Sequence, residues 1–236
     1  MSCVTKVIGK FLVVSMLSAL AAPGLGCVPE KQPMPPHPLT EIELPEPRLD
    51  SATSIEQALL MRRSVRNYTS EALTLHEVSQ LLWAAQGVTD PRGFRTAPSA
   101  GATYPLEAYL LVGDVDNLTP GAYHYIPANH KLVKVLEGDF RAELAAAAWG
   151  QSPIKEGAAN IVITGVYERT VKRYGNRGIR YVHMEAGHAA QNIYLQAVAL
   201  DLGTVVIGAF HDERVKQVLN LPKQEDPLYI IPIGKR

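Results

Sequence analysis

The chain has 236 residues, 47% of them hydrophobic, and its 23 basic side chains are balanced by 23 acidic ones. Zero net charge argues against a broad basic face for nucleic acid, and the apolar fraction supports one large domain with a sizeable core. Both cysteines, Cys3 and Cys27, precede the body of the chain, which excludes an internal disulfide, a cysteine-based metal site and a cysteine nucleophile there.

Residues 1–27 have the layout of an export signal: Lys6 and Lys10, an apolar run from Phe11 to Ala22, then small residues. The apolar run is too short for a confident membrane span. Gly24-Leu25-Gly26-Cys27 resembles a lipoprotein box, with Gly24 where an aliphatic residue usually stands. The expectation is an exported protein, periplasmic or lipid-anchored through Cys27. The alternative is a retained N-terminal anchor with the domain in the cytoplasm. Residues 28–48 form a linker, because 7 prolines between Val28 and Pro47 leave an extended tether. The body is read as 49–236.

"SIEQALLMRRS" has helical spacing, with Ser54 or Asp50 as its cap. "TLHEVSQLLWAAQG" is a second helix: Thr74 caps it, Glu77 completes a capping box and Gly87 stops it. "EAYLLVGDV" is a strand, and "GAYHYIPANHKLVKVLEG" a hairpin turning at Pro127-Ala128-Asn129. "DFRAELAAAAWG" is a short helix. The continuous Ile/Val content of Ala159 to Tyr167 marks a buried strand. Arg180 to Leu202 is the longest helical pattern, apolar on several faces and closed by Gly203, so it is expected to be buried in the core or against another subunit. "TVVIGAF" is a strand or tight edge, "DERVKQVLNL" a helix and "LYIIPIG" a last strand. Helices alternate with strands that include a hairpin, giving α+β or mixed α/β. Neither a strand–GxGxxG–helix unit nor a P-loop is present.

Four stretches have the chemistry of a site. Arg62, Arg63, Ser64 and Arg66 crowd one bend; they are either a solvated helix end or a pocket for a phosphomonoester, whose oxygens guanidinium forks fit. Pro98, Ser99, Ala100 and Gly101 open a loop of small residues that either exposes backbone to a flat ring or merely connects elements. Gly203 and Gly208 bracket an apolar segment whose amides near Ile207 and Gly208 are placed to face a ligand. Lys235 and Arg236 add positive charge after the last strand. No metal is expected: HExxH is absent, and His183 and His188 are five apart, off a common helix face.

Together, "RRSVRNYTSEALTLHEVSQLLWAAQG", "PSAGATYPLEAYLLV", "RYGNRGIRYVHMEAGHAAQNIYLQAVALDLGT" and "IGAF" resemble the nitroreductase superfamily, more narrowly its SagB/ThcOx-type dehydrogenase branch. The resemblance runs from about Pro45 to the end and rests on the combination. It implies an α+β fold, a mainly antiparallel sheet flanked by helices, and an intertwined homodimer holding two FMN at its interface. It also implies NAD(P)H as electron donor and a small organic substrate, reduced as a nitro compound or quinone or dehydrogenated in the SagB manner. By this resemblance Arg62, Arg63, Ser64 and Arg66 hold the FMN phosphate and ribityl chain. Pro98, Ser99, Ala100 and Gly101 reach the flavin from the other protomer, and Gln151 offers an amide near its pyrimidine edge. Ile207 and Gly208 lie beside the isoalloxazine, and Lys235 and Arg236 supplement the phosphate site. Azoline-oxidising members carry a Lys-Tyr pair as base; here the place reads Arg173-Tyr174. An arginine stays protonated, so Tyr174 is the catalytic candidate, against a structural role. The reading from another class is a non-catalytic, membrane-tethered module that binds a small ligand on the same fold.

Overall fold

A computed structural model describes residues 40–236. The signal-like segment, Cys27 and the greater part of the proline-rich tether lie outside the described residues. In chain order the elements are β1 (Glu41–Glu43), α1 (Ile55–Met61), α2 (Leu75–Gln86), β2 (Leu106–Val112), β3 (Gly121–Ile126), β4 (Lys131–Glu137) and α3 (Arg141–Ala147). They continue with α4 (Ser152–Glu156), β5 (Ala159–Gly165), α5 (Tyr167–Tyr174), α6 (Arg177–Ala199), β6 (Leu202–Thr204), α7 (Asp212–Leu219) and β7 (Asp226–Lys235). Seven strands form one sheet in the order β1-β4-β3-β2-β5-β7-β6, and every pairing is antiparallel.

The strand of continuous Ile and Val, β5, is buried along its whole length and sits inside the sheet between β2 and β7. Alternate side chains of the central strands feed two cores. Leu110, Ile161 and Ile163 pack with α2 and α6 through Leu81, Leu82, Ala186 and Ile193. Tyr109, Leu111 and Val162 pack on the other side with Leu144, Ile154 and Val215 from α3, α4 and α7. Helix α2 forms where the sequence puts it: the Thr74 hydroxyl accepts from Glu77 N, the Glu77 carboxylate accepts from Thr74 N, and Gly87 follows the last turn. Ser54 and Gln57 make the same reciprocal cap at α1.

Four expectations change. The ordered body begins before Leu49, because Glu41–Glu43 pair with β4, Leu44 is buried and the Pro45 carbonyl accepts from the Ser79 hydroxyl at 2.5 Å. Prolines permit this because an edge strand of three residues needs donors on one side only. The long helix starts at Arg177 and ends at Ala199, with Asp201 in the left-handed region (φ 57°) making the turn. Gly203 therefore lies inside β6 and does not stop the helix; a Cβ there would sit 2.7 Å from Val65 Cγ1, so the glycine admits the segment that follows α1. In one chain α6 is covered on one face only: Val182, Glu185, Ala189 and Ile193 are buried, whereas Met184 is 52% exposed and a Cβ on Gly187 would meet nothing within 4 Å. Finally, α4 and α5 are additional helices; α5 buries only Thr170, so it has no apolar stripe for a sequence reading to find.

Starting the chain at Leu49 instead of Pro38 removes β1, the Leu44 contact and the carbonyl that Ser79 and His130 share. Loss of the buried leucine alone predicts about 2 kcal/mol, read as a lower urea midpoint for the shorter chain.

Candidate functional site

After α1 the chain runs irregularly along the free ends of β6 and β7: Val65 N donates to Thr204 O at 2.9 Å and Thr69 N to Lys235 O at 3.0 Å. The four residues of the bend divide. Arg63 turns back and donates to the carbonyls of Leu60 and Arg62 at 3.0 and 2.7 Å, which is the helix-end role. Arg62 lies over the Tyr194 ring, 5.0 Å from its centroid, and Ser64 Oγ shares a 3.0 Å hydrogen bond with the Tyr194 hydroxyl. That hydroxyl also accepts from Val206 N at 2.9 Å. One tyrosine of α6 thus joins the arginine bend to the 204–208 segment. None of the ion pairs among the described residues uses Arg62, Arg63 or Arg66.

Beyond Val206, Ile207 is buried and exchanges two 2.9 Å backbone hydrogen bonds with Ile230 of β7. Gly208 is exposed, and Gln151 Nε2 donates to the carbonyl of the next residue, Ala209 O, at 2.9 Å. Gln151 therefore braces the turn behind Gly208. A cavity of about 340 Å³ opens at Gly208, lined also by Tyr167, His183, Phe210 and Tyr229. In it the Tyr167 hydroxyl and His183 Nε2 are 2.6 Å apart. Burial, then Asp226 and Asp212, raise the Tyr167 phenol above its ordinary range, so it keeps its proton at neutral pH.

The loop of small residues is held by α5. Arg173 Nη1 donates to Gly101 O at 3.0 Å, Arg169 Nη1 to Tyr104 O at 2.9 Å, and the hydroxyls of Thr103 and Thr170 are 2.8 Å apart. Gly101 has φ 62°, and a Cβ there would stand 2.5 Å from the Tyr174 hydroxyl. Tyr174 accordingly packs on the loop, with its ring edge-on to Tyr181 at 5.2 Å. Within the loop, Ser99 Oγ accepts from Tyr104 N at 2.9 Å.

Lys235 and Arg236 depart from expectation. Lys235 Nζ meets Glu77 Oε1 at 2.5 Å and Arg236 Nη2 meets Asp201 Oδ1 at 2.9 Å, so both cations are committed to carboxylates. Burial pushes Glu77 up, but Lys235 and Thr74 outweigh it and hold the carboxyl below its ordinary value. Lys235 thus secures the first turn of α2.

The arginine bend and the small-residue loop do not meet in one chain. The first engages Tyr194, whereas Ser99 of the second lies near the buried Glu185. Nine residues on one helix place these two side chains about 180° apart around its axis. The open face with Met184, Gly187 and His188 lies between them. Sequence reasoning missed Tyr194, Glu185 and the Tyr167–His183 pair. Only Glu185 left a signal, as the sole acid in α6.

A model of the nitroreductase family matches residues 59–235. The chain belongs to the nitroreductase family. Membership places it among oxidoreductases. It is 49% identical over 196 residues to MJ1384 of Methanocaldococcus jannaschii, a provisionally assigned nitroreductase, covering 83% of this chain and 96% of that one. It is 30% identical over 201 residues to the trifolitoxin operon protein TfxC of Rhizobium leguminosarum bv. trifolii, covering 78% and 56%. Among solved structures, a provisionally assigned nitroreductase of Anabaena variabilis superposes with TM-score 0.74 at 30% identity, covering 84% of this chain and 42% of that chain. The chain thus spans little more than half of TfxC and less than half of the Anabaena chain.

Removing the Tyr194 hydroxyl leaves the Val206 amide without its acceptor. The Tyr194→Phe change is expected to cost about 1 kcal/mol of stability, measured by urea unfolding. It also frees Ser64 from the 204–208 segment, seen as faster hydrogen exchange at Val206.

Proposed function

We propose that the chain is an FMN-dependent oxidoreductase that works as a homodimer and moves a hydride to or from a small organic substrate, with NAD(P)H as its electron donor. The observation that carries this reading is Tyr194, whose ring and hydroxyl join Arg62 and Ser64 to the segment that leads through Val206 to the exposed backbone at Gly208. The donor set suits the group: guanidinium forks and a hydroxyl for a phosphate, and a glycine backbone for a flat ring. The small-residue loop, where Gly101 admits no side chain, suits the second face of such a ring.

Bound there, FMN supplies two-electron chemistry at its N5. The residues of this chain do the rest. Arg62, Arg66 and Ser64 bind and orient the phosphate end, while Ile207, pinned to β7, fixes the backbone of Gly208. The cavity at Gly208 is the substrate slot in this reading, and Tyr167, hydrogen-bonded to His183, keeps a proton available inside it. The Tyr174 hydroxyl lies beside the loop, where Arg173 is fixed as a clamp on Gly101 O and cannot serve as a base.

The half-sites on opposite sides of α6 support a shared site, in which the loop of one protomer closes on the bend of its partner across the open α6 face. The likeness to TfxC supports a SagB-type dehydrogenation as one form of the reaction. The export signal and a lipid anchor at Cys27 belong to the same proposal, and fractionation with N-terminal sequencing tests them.

Purified protein titrated with FMN should quench flavin fluorescence and retain the yellow cofactor. Arg62→Ala or Arg66→Ala should weaken FMN about 10- to 100-fold, the worth of one charge-assisted hydrogen bond, and leave riboflavin binding unchanged. A colourless protein that takes up neither flavin sinks the redox reading in favour of a binding module. Met184→Glu places a charge on the open face and should yield a monomer by sedimentation that no longer retains FMN.

A further inference from the structure

The loop that begins with Pro98 has a shape the chain does not adopt unaided. Gly101, Ala102 and Tyr104 have φ of 62°, 53° and 44°, and two of the three carry a side chain. Left-handed backbone at such residues persists only where the surroundings impose it, and it gathers at ligand clamps. Here the imposition converges on Tyr104. Its N–H donates to Ser99 Oγ at 2.9 Å, its ring lies 4.6 Å under the Arg95 guanidinium, and its carbonyl accepts from Arg169 Nη1 at 2.9 Å.

Arg169 and Arg173 stand one turn apart on α5 and both reach the loop, but they are anchored differently. Arg173 Nη1 donates to Gly101 O at 3.0 Å, and its guanidinium otherwise lies over the Tyr174 ring. Arg169 commits the second arm of its fork to an acid: Nη2 meets Glu107 Oε1 at 2.5 Å. Glu107 stands on β2 with its side chain 14% exposed, and its other oxygen is 2.9 Å from His124 Nε2 on β3. The His124 ring stacks on Tyr109 at 4.7 Å, and the Tyr109 hydroxyl donates at 3.0 Å to the buried Glu225, which also accepts from Thr164 on β5 at 2.9 Å. Glu107 is thus tied into the middle of the sheet. Helix α5 gains a post by this, since it buries only Thr170 of its own residues.

We propose that Glu107 is a positioning residue for the Pro98–Gly101 loop: through the Arg169 fork it holds Tyr104, and with it the loop, in shape before the flavin arrives. The inference rests on the flavin reading of the loop. Glu107 and Arg169 act without touching the cofactor. What they set is the fraction of molecules whose loop already has the binding shape, and apparent affinity scales with that fraction. A lysine at position 169 keeps a charge for Glu107 but lacks the planar fork, so it cannot span from Glu107 to the Tyr104 carbonyl.

The test compares full-length wild type, Arg169→Lys, Glu107→Ala and the double variant, at a temperature well below every melting transition. Affinities for FMN and for riboflavin are measured by fluorescence quenching. Hydrogen exchange is followed without flavin at Ala102, Thr103 and Tyr104, whose amides bond within the loop. Each single variant should weaken FMN and riboflavin by the same factor, about tenfold, as the competent fraction falls to about a tenth. Arg62→Ala is the contrast, since it should weaken FMN alone. The double variant should bind no more weakly than Arg169→Lys, because both changes cut one connection. Exchange at the three loop amides should quicken while that of β5 stays as in wild type. If Glu107→Ala does not fold, Arg169→Lys decides alone. Wild-type affinity for both flavins in the single variants overturns the proposal and leaves the flavin reading intact. A loss confined to FMN, or losses that add in the double variant, overturn it as well. Failure of every form, wild type included, to bind either flavin overturns that reading and the positioning role with it, and the loop amides then still report whether Glu107 and Arg169 hold Tyr104.

Discussion

The arrangement depends on one hydroxyl placed on one helix. Tyr194 projects from α6 at the height where the segment after α1 crosses the end of β6, and its oxygen serves both Ser64 and the Val206 amide. Without that contact the arginine bend is a solvated helix end beside an unrelated strand. With it, Arg62 and Ser64 are joined to the segment that leads through Val206 to Gly208. The close crossing that makes this possible is steric: Gly203 and Gly234 lie under Val65 and Tyr68, where a Cβ would come within 2.7 Å of those side chains. Any larger residue lifts the bend off the sheet and separates Ser64 from Tyr194.

The same helix has two unlike faces. Its inner face is filled by alanines, Val182 and Ile193, which seat it on the sheet. Its outer face carries Met184; Ile179 is exposed five residues earlier, and the apolar residues Ile55, Leu59 and Met61 are exposed on α1. Burying such residues favours association by roughly 25 cal/mol per Å², against a fixed cost of losing free rotation and translation. The helix therefore has two partners in this reading. In the proposed dimer the bend and the loop flank the open face on opposite sides, so the face that a second copy would cover is the one across which the site would close.

Legibility in the sequence followed the range of the interaction. Helix α2 was readable to the residue because Thr74, Glu77 and Gly87 act within one turn of themselves. Strand β5 was readable because a strand buried on both faces needs unbroken Ile and Val. The arginine bend was visible as charge, but only the folded structure separates Arg63, bonded to its own helix end, from Arg62, which lies over Tyr194. Lys235 could equally have been a phosphate ligand until Glu77, 158 residues away in sequence, was seen to claim it. Tyr194 left no trace, since a tyrosine at a helical position reads as core. The short strand at Glu41–Glu43 was hidden by the prolines around it, which mark a tether by composition and permit an edge strand by geometry.

The titratable groups near the proposed site sort by environment, and that sorting constrains the chemistry. Arg173 is a permanent cation with its Nη1 donating to Gly101 O, so it clamps the loop and accepts no proton. Tyr167 is a phenol kept protonated by burial and by Asp226 and Asp212, with a histidine able to resupply it. The cavity at Gly208 is lined by His183 and Asp212 beside Tyr167, so its walls carry groups that can accept a proton as well as one that holds it, and the lining suits either direction of the proposed reaction.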